Sequence, residues 1–320
     1  MPREPEYFKK KGVPATMLLP LSLIWRAAAW VRRNLARRPY RACKPVVCVG
    51  NLVLGGSGKT PVTMALAQMF LDDGWRVGIV SRGYGRKRGG VRLVKKDSTV
   101  AEVGDEPFEM AMKLPKALVA VGANRAEAAR LIERKVDVIL MDDGLQNLKL
   151  KQDFRIAVFS SFLGVGNGFV LPAGPLREPL SRLASVDAVV ITGNRNPSLE
   201  RELARYGRPI FNAPWKPRKL KKGLKVAAFA GIGGPEKWFA MLAAQGVDVV
   251  HAETFPDHHN YTRAELEKLL AIGLPVLTTM KDFVKIPEDL KPRFTPVYAD
   301  SQPDTSMFGL LRSTIISRGI

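Results

Sequence analysis

From Pro45 onward the chain alternates short, wholly apolar runs with longer stretches of mixed polarity. The runs are Val46 to Val49, Val77 to Val80, Ala117 to Val121, Val136 to Met141, Ile156 to Phe159 and Val186 to Ile191. Strands that are apolar at nearly every position, separated by helical stretches, predict a parallel sheet covered by helices on both faces. The crossover helices are expected at Pro61 to Leu71, Asn124 to Arg134 and Ser198 to Tyr206, with Asn124 and Ser198 as caps of the latter two. The pattern then breaks at the basic, proline-rich stretch Pro214 to Lys222, which reads as a hinge. A second β/α series follows, with strands expected at Val226 to Ala230, Val247 to His251, Pro275 to Thr279 and Pro296 to Tyr298. The division expected is therefore residues 1–215 as a larger unit and 216–320 as a smaller α/β unit. No repeat of fixed period and no low-complexity tract interrupts it.

The first forty residues follow a different pattern. The apolar stretch Met17 to Trp25 is followed by no small-residue cleavage site, so a signal peptide is not expected. Spanning a bilayer takes roughly 20 uninterrupted apolar residues. Here Pro20 and Arg26 break the run, and Arg32, Arg33, Arg37 and Arg38 follow it. Wound as a helix, Ile24, Ala27, Val31 and Leu35 share one face and Arg26, Arg33 and Arg37 the opposite one, with Trp25 and Trp30 between. Such a helix suits a membrane interface; packing on its own unit is the other reading of the same pattern.

Composition narrows the partners. Lys and Arg number 50 against 30 Asp and Glu, a formal charge of +20, which favours phosphate, nucleic acid or anionic lipid without choosing among them. Cys48, one of two cysteines, lies in an apolar strand run, so a buried thiol in a reducing compartment, the cytosol, is expected rather than a disulfide. The three histidines, His251, His258 and His259, have no zinc-type spacing with cysteine, so a structural metal site is not expected.

The clearest chemistry follows the first run. Gly55-Gly56-Ser57-Gly58-Lys59-Thr60 stands between a strand and a helix, the context of a phosphate-binding loop, within the segment Gly50 to Pro61. Backbone N–H groups of Val53 through Thr60 would turn around the phosphates of a nucleoside triphosphate, Lys59 would reach the β and γ phosphates, and Thr60 would offer its hydroxyl to Mg²⁺. Val53 stands where the usual pattern has its first glycine and Leu54 follows it, so other residues must shape the loop entry. The run ending in Asp142-Asp143-Gly144 supplies acids for Mg²⁺ at the end of a strand, although a surface turn can read the same. After the second strand, Arg82, Tyr84 and Arg86 offer phosphate contacts and an aromatic for base or sugar stacking. Gly104-Asp105-Glu106-Pro107 reads by itself as a solvated turn. Arg177, in the rigid segment Leu171 to Leu180, is suited to clamping phosphate, and His258 lies in a loop before a helix.

Taken in order, these segments resemble the tetraacyldisaccharide 4'-kinase family from about Pro45 to Lys285. The resemblance is carried by Val49 to Leu52, Gly55 to Pro61, Ser81 to Arg86, Gly104 to Pro107 and Gly122 to Arg125. It continues through Asp142 to Gln146, Leu171 to Pro179, Gly231 to Gly233, Phe255 to His258 and Thr279 to Asp282. Two positions depart from it: Asn147, where the family commonly has His, and Gly234, where Asn is expected.

The resemblance implies an α/β fold, a P-loop NTPase parallel sheet domain with a second, smaller α/β domain. It implies ATP and Mg²⁺ as cofactors and transfer of the γ-phosphate to the 4'-hydroxyl of a tetraacylated glucosamine disaccharide phosphate, in lipid A biosynthesis. Carried over, Lys59 and Thr60 hold ATP and the metal, Asp142 and Asp143 are the metal acids, and Glu106 assists them. Asp105 and His258 form the catalytic pair with Asp105 as base, and Arg125 and Arg177 stabilise phosphate charge. The implied location is the cytoplasmic face of an anionic inner membrane, held peripherally, with no nucleic-acid partner.

A partitioning-type ATPase would carry a lysine where this chain has Leu54. A GTPase would need an Asn-Lys-x-Asp reader, which Thr279-Met280-Lys281-Asp282 is not. A nucleic-acid module would fit the charge, but no reading motif accompanies it.

Overall fold

The structure is a computed structural model, and it describes residues 5–317 except 88, 218, 258 and 298. The larger sheet is built from β1 (Val46–Gly50), β2 (Val77–Ser81), β3 (Arg92–Leu93), β4 (Leu118–Val121), β5 (Val138–Asp142), β6 (Phe154–Ser160), β7 (Ala188–Thr192) and β8 (Ile210–Ala213). Its order is β3-β4-β2-β5-β1-β6-β7-β8, parallel throughout except for the β3/β4 pair. From β1 the chain goes to β2, β3 and β4 on one side, returns to place β5 between β2 and β1, and then crosses to β6, β7 and β8 on the other side. Beside β1 the strand order reverses, which opens a crevice at the carboxyl ends of the strands where ligands bind in such folds.

Both faces are covered, which is why the strands are continuously apolar. Successive side chains point to opposite faces. Val47, Val49 and Leu140 pack with Val62, Leu66 and Phe70 of the helix that follows β1. Val46, Cys48, Ile139 and Met141 pack on the other face with Ala128, Ala129 and Ile132.

The helices of this part are α1 (Val13–Met17), α2 (Leu19–Asn34), α3 (Lys59–Asp72), α4 (Val100–Val103), α5 (Asp105–Lys113), α6 (Arg125–Ile132) and α7 (Pro197–Ala204). The cap of α7 is Asn196, whose Oδ1 accepts from the Leu199 N–H at 3.1 Å, and not Ser198. Pro197 explains the shift, because its fixed φ suits the first helical position and sets the cap two residues earlier. Asn124 does occupy the cap position of α6, but its amide donates to Glu127 instead of the side chain accepting from the helix.

Where an irregular hinge was expected, Trp215–Pro217 forms strand β9. A second sheet follows, of β10 (Lys225–Ala230), β11 (Asp248–Thr254), β12 (Val276–Thr278) and β13 (Phe294–Pro296), all parallel in the order β11-β10-β12-β13. Helices α8 (Pro235–Ala244) and α9 (Arg263–Leu270) cover its two faces, the first through Trp238 and Leu242, the second through Leu266 and Leu269. A short helix, α10 (Met280–Phe283), follows β12, and β14 (Ala299–Ser301) returns to pair antiparallel with β9. The last helix, α11 (Thr305–Ser317), packs on the larger sheet. Met307, Leu311 and Ile315 are buried in the core of the larger sheet, since they complete the apolar surface around Phe70.

Helix α2 sits on the larger sheet's periphery through few contacts. Ser22 is buried, its Oγ donating to the Val170 carbonyl at 2.7 Å and accepting from the Ala173 N–H at 3.1 Å. Trp25 Nε1 donates to the Arg177 carbonyl at 3.1 Å, and Arg33 is paired with Glu178. Val13, Met17, Leu21, Leu23, Ile24, Trp30, Val31 and Leu35 are exposed. Among the described residues no helix is long and apolar enough to cross a membrane.

Candidate nucleotide and phosphoryl-transfer site

Strand β1 ends at Gly50, where a β-carbon would lie 2.7 Å from Leu145 Cγ, so the close approach of these two segments needs glycine. The loop entry is shaped by polar and backbone links. The Asn51 amide donates to the Val53 carbonyl at 2.6 Å and to Ser57 Oγ at 3.0 Å. The segment carrying Arg177 runs alongside: Leu54 N–H donates to the Pro175 carbonyl, Arg177 N–H to the Leu52 carbonyl, and Val53 bridges to Leu176. These contacts hold the entry where the usual first glycine is missing. Gly55 and Gly58 have φ of 94° and 83°, a region open to glycine at little cost, and Gly56 and Ser57 lie between them. Lys59 and Thr60 then open α3, so their N–H groups point out of the helix start, a natural anion site.

Strand β5 delivers Asp142 directly beside β1, with Val49 and Asp142 in register. Thr63, one turn into α3, donates its hydroxyl to Asp142 Oδ1 at 3.0 Å. Burial pushes the Asp142 carboxyl up to about 7, and the negative charges of Glu106 and Asp143 add to this, while Lys59 and Thr63 oppose it. Asp143 adopts a left-handed φ of 47° and turns toward Lys59 Nζ, 3.7 Å away, and Arg177 Nη1, 3.2 Å away. Arg125 is buried at the start of α6, with Nη1 donating to the Gly122 carbonyl at 2.8 Å. Burial pushes its guanidinium down to about 10, against the pull of Asp142 and Asp143. A carboxylate made costly to ionise by burial and by two acidic neighbours is a group a divalent cation would stabilise.

Gly104-Asp105-Glu106-Pro107 is not a solvated turn. Asp105 and Glu106 form the first turn of α5, where a proline does no harm, and Asp105 is buried. Its Oδ1 accepts the Glu106 N–H at 3.0 Å. A β-carbon on Gly104 would meet the Tyr84 carbonyl at 2.9 Å, so the loop after β2 rests on the start of this helix. The Tyr84 side chain is exposed, two strands from β1 and on the side of Asp105. From the second sheet, Lys281 Nζ lies 3.1 Å from Glu106 Oε1, and Lys285 Nζ lies 3.8 Å from Asp105 Oδ2 and 3.7 Å from Asp282 Oδ1. Burial alone would disfavour the Lys281 ammonium, yet Glu106, Asp105 and Asp257 outweigh it and hold the group above its ordinary value. His258 lies outside the described residues.

The family model for tetraacyldisaccharide-1-P 4'-kinase matches residues 14–314. The chain belongs to this kinase family. Tetraacyldisaccharide 4'-kinases of Paramagnetospirillum magneticum and Gluconobacter oxydans are each 42% identical to it, over 91% and 89% of both chains respectively. The crystal structure of Aquifex aeolicus LpxK in complex with ATP is 28% identical and superposes with a TM-score of 0.76, over 95% of this chain and all of that one. As in other members of the P-loop NTPase class, the glycine loop of this tetraacyldisaccharide 4'-kinase family member joins a central parallel strand to a helix.

Both departures from the family pattern have a local account. Asn147 Oδ1 accepts from the Lys149 and Leu150 N–H groups at 3.0 and 3.1 Å, and so closes a turn. Gly234 has a φ of 85° before α8, a conformation that asparagine also tolerates. The tetraacyldisaccharide 4'-kinase residues that sequence reasoning left without a role are Lys281, Asp282 and Lys285. Asp282 is fully buried and accepts from Gly231 N–H at 2.9 Å, Tyr261 Oη at 2.8 Å and Thr279 Oγ1 at 2.6 Å. The signal was present as two lysines four apart, the spacing of neighbours on a helix face, although only Lys281 lies within α10 and Lys285 follows it in a turn.

Proposed function

We propose that this chain is the ATP-dependent kinase that phosphorylates the 4'-hydroxyl of tetraacyldisaccharide 1-phosphate in lipid A biosynthesis. The observation that carries the reading is the convergence, at the carboxyl ends of β1, β5 and β2, of the Lys59 loop, the Asp142–Asp143 acids and the buried Asp105. Phosphoryl transfer asks for positioning and charge stabilisation more than for covalent chemistry. Lys59 and the N–H groups of Val53 through Thr60 would hold the triphosphate, with Arg125 and Arg177 bearing on its charge. The donor set fits Mg²⁺: Thr60 hydroxyl, Asp142 and Asp143, with Glu106 near, are the few oxygen ligands that this ion takes alongside phosphate and water. When bound, Mg²⁺ supplies charge neutralisation across the β and γ phosphates. Asp105 would take the proton of the attacking hydroxyl, oriented by His258.

In this reading residues 1–215, together with the returning C-terminal helix, are one domain, and the second sheet is another. Asp105 belongs to the first and His258 to the second, so the pair assembles where the two face each other, and closure forms part of catalysis. The outward apolar side chains of α1 and α2, interleaved with arginines, suit shallow burial in the anionic cytoplasmic leaflet of the inner membrane, where the lipid substrate resides. The net charge of +20 is then directed to lipid phosphate and not to nucleic acid. Incubation of the purified protein with ATP, Mg²⁺ and detergent-dispersed disaccharide monophosphate is expected to yield the bisphosphate; absence of product under these conditions overturns the proposal.

A further inference from the structure

The groups suited to handling phosphate charge lie on one side of the crevice, except Arg177, which reaches Asp143 from the connection between β6 and β7. Lys59 follows β1, Asp142 and Asp143 follow β5, Asp105 lies near the loop after β2, and Arg125 follows β4. A nucleoside triphosphate is a linear chain with its γ-phosphate at one end and its base at the other. With the terminal phosphate among those groups and the chain laid along Gly55 to Thr60, the base must leave toward β6, β7 and β8.

One aromatic residue stands against the glycine loop at that end. A β-carbon on Gly58 would lie 2.8 Å from Trp215 Cη2 and 3.1 Å from Thr192 Cγ2, and one on Gly193 would lie 3.3 Å from Trp215 Nε1. The indole therefore rests on two side-chain-free positions, the last glycine before Lys59 and the glycine after β7. Thr192 ties the same place together, its Oγ1 donating to the Ser57 carbonyl at 2.9 Å. The ring is not sealed in, since Trp215 keeps 38% of its surface exposed. Its backbone is fixed by pairing with Ser301 in the β9/β14 ribbon and by the Gln302 N–H donating to the Pro214 carbonyl at 3.0 Å.

We infer that Trp215 provides the stacking face for the nucleotide base. This inference rests on the proposed nucleotide site at the glycine loop and adds the residue that holds the other end of the ligand. It also moves base stacking away from Tyr84. Tyr84 follows β2, two strands from β1 on the side away from β6, and its carbonyl rests on Gly104 at the start of the helix that carries Asp105. Stacking on an aromatic face is open to any base, so this residue by itself adds affinity for purine triphosphates with little discrimination between adenine and guanine.

Calorimetric titration of the detergent-solubilised protein with ATP, GTP and inorganic tripolyphosphate, each with Mg²⁺, tests the assignment. Removing a base-stacking aromatic costs on the order of 10-fold in affinity. Trp215→Ala is expected to weaken ATP and GTP by about that factor and to leave tripolyphosphate unchanged, whereas Trp215→Phe stays close to the parent. Trp215→Leu, apolar but without a π-face, serves if the alanine variant does not fold. Equal weakening of ATP and tripolyphosphate would assign the ring to loop packing and overturn the inference. No weakening of either, or a larger loss of ATP affinity in Tyr84→Ala than in Trp215→Ala, overturns it as well. Failure of the underlying site reads differently: ATP binding that survives Lys59→Ala removes the glycine loop itself as the nucleotide site.

Discussion

Replacing Asp142 with asparagine should make the nucleotide-free protein more stable at alkaline pH while removing its activity. The Asp142 carboxyl is buried, and its proton is held up to about 7 against an ordinary value of 3.8. Between those two values the folded chain binds a proton that the unfolded chain has released. This contribution to stability therefore falls as pH rises through the window, and above about pH 7 the folded state carries its full cost. Three pH units at about 1.36 kcal/mol each correspond to about 4 kcal/mol. An asparagine keeps the acceptor for Thr63 Oγ1 but buries an amide N–H₂, whose unsatisfied donors cost about 1–3 kcal/mol. The net gain at pH 8 is then on the order of 1–3 kcal/mol, roughly 1–5 °C in melting temperature for a chain of this size. At pH 5 the carboxyl is protonated and the advantage disappears. Thermal melts of both proteins at pH 5 and pH 8, with and without ATP and Mg²⁺, would measure this. The parent should be stabilised by ATP and Mg²⁺ far more than the variant at pH 8. A stability difference that is the same at both pH values would refute the argument, because it would show that ionisation of Asp142 is not what strains the empty site.

Other substitutions probe the remaining parts. Lys59→Ala should lower kcat by at least about 10²-fold through loss of a fixed charge at the γ-phosphate, and near-normal turnover would remove the loop from the reaction. Asp105→Ala should lower kcat about 10²- to 10⁴-fold with ATP affinity largely kept. A matching loss in ATP binding would instead make Asp105 part of the nucleotide site. Lys285→Met should lower kcat with little change in the KM for ATP, because Lys285 holds Asp105 and Asp282 together, and Lys285→Arg should restore part of the loss. Equal effects of Met and Arg would assign it to packing alone. Ile24→Ser with Trp30→Ser should move the protein from vesicles containing anionic lipid into solution and raise the KM for lipid, and unchanged sedimentation with vesicles would argue against the membrane role of α2.

The sequence patterns that were legible are those written in runs. Val46 to Val49 and Val136 to Met141 are apolar at almost every position because both faces of the sheet are covered, so their type and parallel arrangement could be read directly. Strands β3, β9 and β14 could not be read in this way. Each has two or three residues, and β9 and β14 pair across some eighty positions of sequence through a proline-rich segment whose composition imitates a linker. The segment Gly104 to Pro107, which by itself reads as a solvated turn, differs for a similar local reason. Glycine, acid, acid and proline form a turn when nothing covers them, and here Lys281 of α10 and Lys285 just after it cover them at the start of α5. Helix α11 was not read from the sequence at all, and nothing in a short apolar helix states which core it completes.

The β9/β14 ribbon also says something about how such a molecule can be assembled. The chain leaves the larger sheet after β8 and comes back into α11 through two hydrogen-bonded neighbours, and the Asp304 N–H donates to the Asn212 carbonyl at 3.1 Å. The ends of the second sheet are thus side by side, the condition under which one folded piece can be inserted into another without disturbing it. A mononucleotide-binding core that needed only a tight turn at this point could have received an entire βα module there. The larger sheet would have kept its strand order, while the inserted piece brought its own lysines to a carboxylate already in place.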